Sequence, residues 1–231
     1  MINVQGIKKA YNNVMALDIA NLEIAAGESF GLIGNNGAGK TTFFRLILDL
    51  LAATEGEITS KQLPVSRNES WKEYTGSYLD EGFLIDYLSP SEYFDFIGYL
   101  HGMNKDDIDH LFNHLEGFAS EDLWQNRKPI RTLSKGNKSK IGIMAALMGN
   151  PEIVILDEPF AHLDPSSQIS LKRLLKRLNT EQHVTLLVSS HDLAHVTEVC
   201  NRIVLLESGL VIRDFATTPD TLRELEAYFT R

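Results

Sequence analysis

Gly34-Asn35-Asn36-Gly37-Ala38-Gly39-Lys40-Thr41 fits G-x-x-x-x-G-K-[ST] and constrains the fold more than any other stretch of the chain. Its glycines let the backbone turn tightly, so that successive N–H groups face inward at an anion. Lys40 is placed to reach the outer phosphates of a nucleotide, and the Thr41 hydroxyl to ligate Mg²⁺. With Gly near 7% of residues, an accidental match in a chain of this length has odds on the order of one in a hundred. The flanks cut those odds further. Ser29-Phe30-Gly31-Leu32-Ile33 reads as a short buried strand, and Thr42-Phe43-Phe44-Arg45-Leu46-Ile47-Leu48 as a helix with one apolar face. A strand, a glycine loop and a helix N-terminus together make a triphosphate site.

The 231 residues suffice for one large core, or one core with a smaller satellite. A formal charge of −9 argues against nucleic acid as a partner, and no Lys/Arg-rich face dominates. The basic run Lys172-Arg173…Lys176-Arg177 lies on a helix with an apolar opposite face and reads as a solvated surface. A single cysteine, Cys200, excludes an internal disulfide framework and suits a reducing compartment. The opening Met1-Ile2-Asn3-Val4-Gln5-Gly6-Ile7 is too short and polar for a secretory signal. The most apolar stretch, Phe43 to Ala53, is interrupted by Arg45 and Asp49 and falls short of a membrane span. Any membrane part is therefore expected from another chain.

The first residues alternate apolar and polar positions, with turns expected at Asn12-Asn13 and Ala26-Gly27, which predicts an antiparallel sheet. Gly56-Glu57-Ile58-Thr59 suggests a further strand. Residues 86–133 turn helical, opened by Ser89-Pro90-Ser91-Glu92 as a capping box with Pro at the first helical position. Tyr93, Phe94, Ile97 and Leu100 follow as an expected core stripe. Beyond Ile141 helices and strands alternate. Ile153-Val154-Ile155-Leu156 and Val184-Thr185-Leu186-Leu187-Val188 are apolar throughout, as strands covered on both faces must be. Asp164-Pro165 opens a helix carrying Leu171, Leu174, Leu175 and Leu178. Ile203 to Phe215, broken at Ser208-Gly209, reads as a hairpin, and Pro219 to Phe229 as a last helix. The order predicts an α/β fold: a mostly parallel P-loop core with right-handed crossovers, an N-terminal antiparallel β-subdomain and an inserted helical subdomain at about 86–150. The whole of 1–231 is expected to form one domain.

Asp157-Glu158 ends an apolar strand, and in an open α/β sheet ligands sit at the carboxyl ends of strands. Asp157 is placed to hold the water shell of Mg²⁺, and Glu158 to polarise a water for in-line attack on the γ-phosphate. Leu133-Ser134-Lys135-Gly136-Asn137 opens a helix. A serine hydroxyl, a glycine N–H and a helix N-terminus suit a second anion site, although a plain N-cap uses the same serine. His191 follows Val188-Ser189-Ser190 at another strand end, positioned to sense the γ-phosphate.

In this order the pieces resemble the nucleotide-binding subunit of an ABC transporter. The matches are Walker A (Gly34 to Thr42), an LSGGQ-like signature (Leu133 to Asn137), Walker B (Ile153 to Asp157) followed by Glu158, a D-loop (Ala161-His162-Leu163-Asp164) and the switch histidine His191. The resemblance implies that Tyr11 stacks on adenine. It also implies a head-to-tail pair of ATPase subunits, homodimer or heterodimer, in which Ser134 and Gly136 of one contact the γ-phosphate held by Lys40 of the other.

The chain departs from the family pattern in three places. Lys135 and Asn137 replace the common Gly and Gln of the signature. Gly76-Ser77-Tyr78-Leu79-Asp80-Glu81 stands where a Q-loop glutamine is expected; without gaps Asp80 fills that position and joins Thr41 and Asp157 as a metal ligand, and with a one-residue shift Glu81 does. An acidic residue there is similar to subunits of bacteriocin-immunity and antibiotic-resistance exporters. The D-loop carries Ala161-His162 where Ser-Ala is typical. The resemblance implies an ATPase, with ATP and Mg²⁺, that powers a separate transmembrane permease from the cytoplasmic face of the membrane. A soluble ABC ATPase acting on ribosomes, nucleic acid or Fe–S assembly is the alternative. Such relatives usually carry tandem ATPase domains or a long coiled-coil insertion, and this acidic chain has neither.

Overall fold

The computed structural model describes residues 1–12, 14–115 and 117–230. The period-2 pattern at the start becomes two long antiparallel strands, β1 (Ile2–Tyr11) and β2 (Val14–Ile24), paired from Ile2 with Ile24 to Tyr11 with Val14. Their inward residues, Ile2, Val4, Ile7, Leu17, Ile19, Leu22 and Ile24, are buried. At the expected connecting turn Asn12 takes φ 46°, whereas Asn13 lies outside the described residues. Ala26-Gly27 does not close a hairpin. It hands the chain to β3 (Ser29–Ile33), in which every residue is buried. A strand apolar on both faces must be covered on both, so β3 leaves the half-exposed first sheet for the centre of a second.

The helix α1 (Lys40–Ile47) follows, then β4 (Glu55–Ser60) and β5 (Leu63–Pro64), which complete a first sheet of order β2-β1-β4-β5. The second sheet contains β3, β6 (Thr75–Tyr78), β7 (Ile153–Leu156), β8 (Thr185–Ser190), β9 (Arg202–Glu207) and β10 (Leu210–Ala216). Its order is β10-β9-β3-β8-β7-β6, parallel except for β10, which closes the β9 edge as the expected hairpin. Between β6 and β7 run α2 (Pro90–Leu100), α3 (Lys105–His114), α4 (Glu121–Trp124) and α5 (Lys135–Ala146). The crossover helices are α6 (Pro165–Gln182) and α7 (Leu193–Val199), and α8 (Thr221–Phe229) ends the chain.

Alternation inside the apolar runs feeds two cores. Ile153, Ile155, Leu187, Val204 and Leu206 pack with β1, β2 and the α1 phenylalanines Phe43 and Phe44. Val154, Leu156, Leu186, Val188, Ile203 and Leu205 pack with the helices on the other face. Each such side chain contributes about 1.5–3 kcal/mol on full burial, so a polar residue at any one of them would forfeit about that much from its side of the sandwich.

The capping box forms: Glu92 N–H donates to Ser89 Oγ at 3.3 Å, and Ser89 N–H to Glu92 Oε2 at 2.8 Å. Tyr93 and Phe94 are buried and Ile97 is half-buried, but Leu100 is 62% exposed, contrary to the expected stripe. The α3 helix crosses at Gly98, where a Cβ would lie 2.5 Å from Ile108 Cδ1. That contact turns the buried face toward Pro90, Phe94 and Gly98 and leaves Leu100 at its margin.

The edge strand β6 lies hard against α5. A Cβ at Gly76 would stand 1.8 Å from the Ala146 carbonyl oxygen, and one at Gly142 would stand 2.2 Å from the Tyr78 ring. Tyr78 Oη also donates to Ser139 Oγ at 3.1 Å.

Candidate functional site

Because β3, β6, β7 and β8 are parallel, the segments that follow them open on the same edge of the sheet. The β3 segment is the phosphate loop. Gly39, at φ 108°, is the N-cap of α1, and a Cβ at Gly34 would lie 2.3 Å from the Leu206 carbonyl oxygen. Lys40 is buried; its Nζ donates to Gly34 O at 2.7 Å and stands 3.3 Å from Glu158 Oε1. Asn36, Gly37, Ala38, Gly39, Thr41 and Thr42 join Ala16, Lys40 and Glu158 around a cleft of about 200 Å³. A larger hollow of about 1010 Å³ lies at the opposite end of the strands, between α3 and α6, and contains none of these groups.

Asp157 and Glu158 follow β7. Thr41 Oγ1 donates to Asp157 Oδ2 at 2.5 Å, and Ser189 Oγ donates to Asp157 Oδ1. Burial pushes the Asp157 carboxyl above the usual carboxylate range; the Ser189 and Thr41 hydrogen bonds oppose that shift, Glu158 adds to it and Lys40 reduces it. Glu158 takes φ 48°, a left-handed conformation that costs a non-glycine residue about 1 kcal/mol or more. Its N–H donates to Ser189 Oγ at 2.9 Å, which holds the turn. Its Oε2 accepts from the His191 backbone N–H at 3.2 Å and lies 2.8 Å from His191 Nδ1. Lys40, Thr41, Asp157, Glu158 and His191 therefore form one connected network, with Ser189 at its buried centre. Ser189 was not among the expected site residues, although a serine directly after the apolar run of a covered strand signals a buried hydroxyl with a partner to satisfy.

The other candidates lie outside that network. Tyr11, 45% exposed at the end of β1, has Lys9 Nζ 5.0 Å from its ring centroid. Ser134 caps α5 by accepting from Asn137 N–H at 3.3 Å, and Gly136 lies close enough to the His162 carbonyl that a Cβ would sit 2.6 Å from it. Asp80 accepts from Gly82 N–H at 2.7 Å and from Arg45 Nη2 at 3.5 Å, while Glu81 pairs with Lys138 at 3.4 Å. Each acidic side chain thus has a cation of its own.

Among the described residues no cluster of three or more His, Cys, Asp and Glu side chains could cage a metal. A threonine hydroxyl and one carboxylate, both hard oxygen donors, match an ion that keeps much of its water and takes phosphate oxygens, as Mg²⁺ does.

The family model for ABC transporters matches residues 17–161, from β2 through both carboxylates to the turn beyond them. The chain belongs to the ABC transporter family, as an ATP-binding subunit. An ABC transporter ATP-binding protein of Bacillus subtilis, YhaQ, is 38% identical to this ATPase subunit over 210 residues, covering 90% of the subunit and 69% of YhaQ. The lantibiotic transport ATP-binding protein SrtF of Streptococcus pyogenes is 30% identical over 92% of the subunit and 89% of its own length. Among solved structures, the ATP-binding cassette MJ0796, dimeric and in a post-hydrolysis state with ADP and Pi, superposes with a TM-score of 0.83 at 27% identity, covering 94% of the subunit and 99% of that chain. The cbiO1 protein of Clostridium perfringens, part of the transporter complex cbiONQ, superposes at 0.78 with 26% identity, covering 99% and 93%.

Proposed function

We propose that residues 1–231 act as a single ATPase domain that hydrolyses Mg·ATP and drives a separate transmembrane permease. The observation that carries this reading is the network joining Lys40, Thr41, Asp157, Glu158 and His191 at the ends of three parallel strands. The loop N–H groups and the N-terminus of α1 bind the phosphates, with Lys40 as the point charge on the outer two. Thr41 and Asp157 would hold Mg²⁺, and Asp80 would have to leave Arg45 to join them as the further ligand of the acidic loop. When bound, the ion neutralises charge on the phosphate oxygens. Glu158 accepts the proton of the attacking water through a carboxylate oxygen, and His191 orients that carboxylate from its other side.

Tyr11 offers its ring face to adenine. Ser134 and Gly136 meet the γ-phosphate of a second, head-to-tail subunit, identical or homologous. The permease would hold the subunit on the inner face of the cell membrane; no described helix of the subunit is itself long and apolar enough to cross one. The acidic Asp80-Glu81 pair favours export of small peptides, drugs or lipids as the driven process, and the lantibiotic transport protein SrtF is a relative whose cargo falls in that range.

Glu158→Gln tests the assignment. The substitution keeps size and one acceptor oxygen but loses basicity, so phosphate release should fall about 10²- to 10⁴-fold while ATP binding persists. The variant should accumulate as an ATP-bound dimer on size exclusion at low salt, and a second change, Ser134→Arg, should abolish that dimer. Wild-type turnover in Glu158→Gln would refute the general-base role.

A further inference from the structure

The floor of the phosphate loop is the turn between β9 and β10. Gly209 N–H donates to Ala38 O at 2.9 Å, Gly209 O accepts from Asp18 N–H at 2.8 Å, and Leu206 O abuts Gly34 with no room for a methyl group. Glu207 opens that turn. Its Oε2 accepts a hydrogen bond from Tyr228 Oη at 2.8 Å, and the Arg213 guanidinium lies 5.5 Å from the centroid of the Tyr228 ring. Tyr228 rides on α8, which is anchored by the buried Thr221 and Leu225; the three residues fall at i, i+4 and i+7, on one face. Glu207 shares a cavity of about 540 Å³ with Asn35, Asn36, Gly37 and Ala38 on one wall and Arg213 and Tyr228 on another. A carboxylate on that wall is a charge of the wrong sign beside a loop that gathers phosphate. The Tyr228 hydroxyl holds it at α8.

We propose that Tyr228 and Glu207 are positioning residues: the last helix latches the β9–β10 turn, keeps the Glu207 carboxylate off the phosphate loop and so sets the affinity for ATP. The proposal rests on the phosphate-loop assignment above. It is tested on the full chain by steady-state ATPase kinetics and by binding of a fluorescent ATP analogue, with thermal midpoints measured alongside. Tyr228→Phe removes one hydroxyl and should raise the KM for ATP roughly three- to tenfold, with kcat within about twofold. Glu207→Gln alone should leave KM at or below the wild-type value. The double variant should return KM to near wild type, because a neutral amide released from the latch has no charge to set against phosphate. A merely structural latch would lower the thermal midpoint and leave KM where it was. An unchanged KM in Tyr228→Phe, or a raised KM that the double variant fails to restore, overturns the proposal. Lys40→Ala serves as the control for the underlying site: wild-type binding of the analogue in that variant would overturn the phosphate-loop assignment and the latch with it.

Discussion

Ser189→Ala should be costly for the loss of a single atom, and its cost can be worked from two hydrogen bonds. Ser189 is completely buried; its hydroxyl donates to Asp157 Oδ1 and accepts from Glu158 N–H. Removing a hydrogen bond to a buried charged group costs about 1.5–3 kcal/mol, and leaving an amide unpaired costs about 1–3 kcal/mol. Glu158 is only part-buried, so water recovers some of the second loss, and about 2–4 kcal/mol should remain. Alanine leaves little cavity, which keeps the loss electrostatic. The same substitution removes a hydrogen bond that holds the Asp157 carboxyl down against the upward push of burial, so that carboxyl should titrate higher. If hydrolysis needs Asp157 ionised, the acid limb of the kcat–pH profile should move to higher pH. Urea unfolding gives the first quantity and phosphate release against pH the second. A loss below about 1 kcal/mol together with an unmoved acid limb would show that Ser189 is filler and that the Asp157–Glu158 turn holds itself.

Asp157→Asn should stabilise the nucleotide-free protein at neutral pH while abolishing hydrolysis. The sign follows from the raised carboxyl: a group whose folded pKa lies above its unfolded one stabilises the fold while protonated, and that contribution is lost as pH rises through the folded value. The gain over wild type in chemical denaturation should therefore shrink as pH falls through the carboxylate range, and a gain independent of pH would contradict the burial argument. Tyr11→Ala should weaken ATP and GTP alike by about 1 kcal/mol, or fivefold in Kd, since a ring face does not read base edges; equal affinities in wild type and variant would leave Tyr11 as sheet surface. With the permease present, Asp80→Ala should impair stimulated ATPase more than nucleotide binding, and survival of stimulation there with its loss in Glu81→Ala would assign the position to Glu81 instead.

Much of this was legible because the informative residues were local. The phosphate loop, the Ser89-Glu92 capping box and the apolar β7 and β8 runs each state their geometry within a few positions of sequence. What escaped depends on partners far apart. Nothing near Ala26-Gly27 says that the chain leaves one sheet for another; that follows only from β3 being apolar on both faces. Leu100 has the right spacing for the core, yet where α3 crosses is set by Gly98 meeting Ile108. Ser189 reads as an ordinary strand-end serine until Asp157, 32 residues earlier, is brought beside it. The acidic loop shows the same limit: alignment offers Asp80 or Glu81, and the fold gives Asp80 to Arg45 and Glu81 to Lys138.

The double glycine contact between β6 and α5 has a mechanical consequence. Gly76 on the strand and Gly142 on the helix each sit where the other element leaves no space for a methyl group, and Tyr78 is bolted to Ser139 between them. Two such contacts, on opposite partners, remove the sliding freedom that one would leave. The strand ends two residues before Asp80 and the helix begins one residue after Ser134, so both loops are mounted on one stiff bracket. A push on the acidic loop from outside should therefore be passed on between the two elements rather than absorbed. It should arrive at the start of α5 as a displacement of Ser134, with the strand as the lever and the glycine pair as its fulcrum.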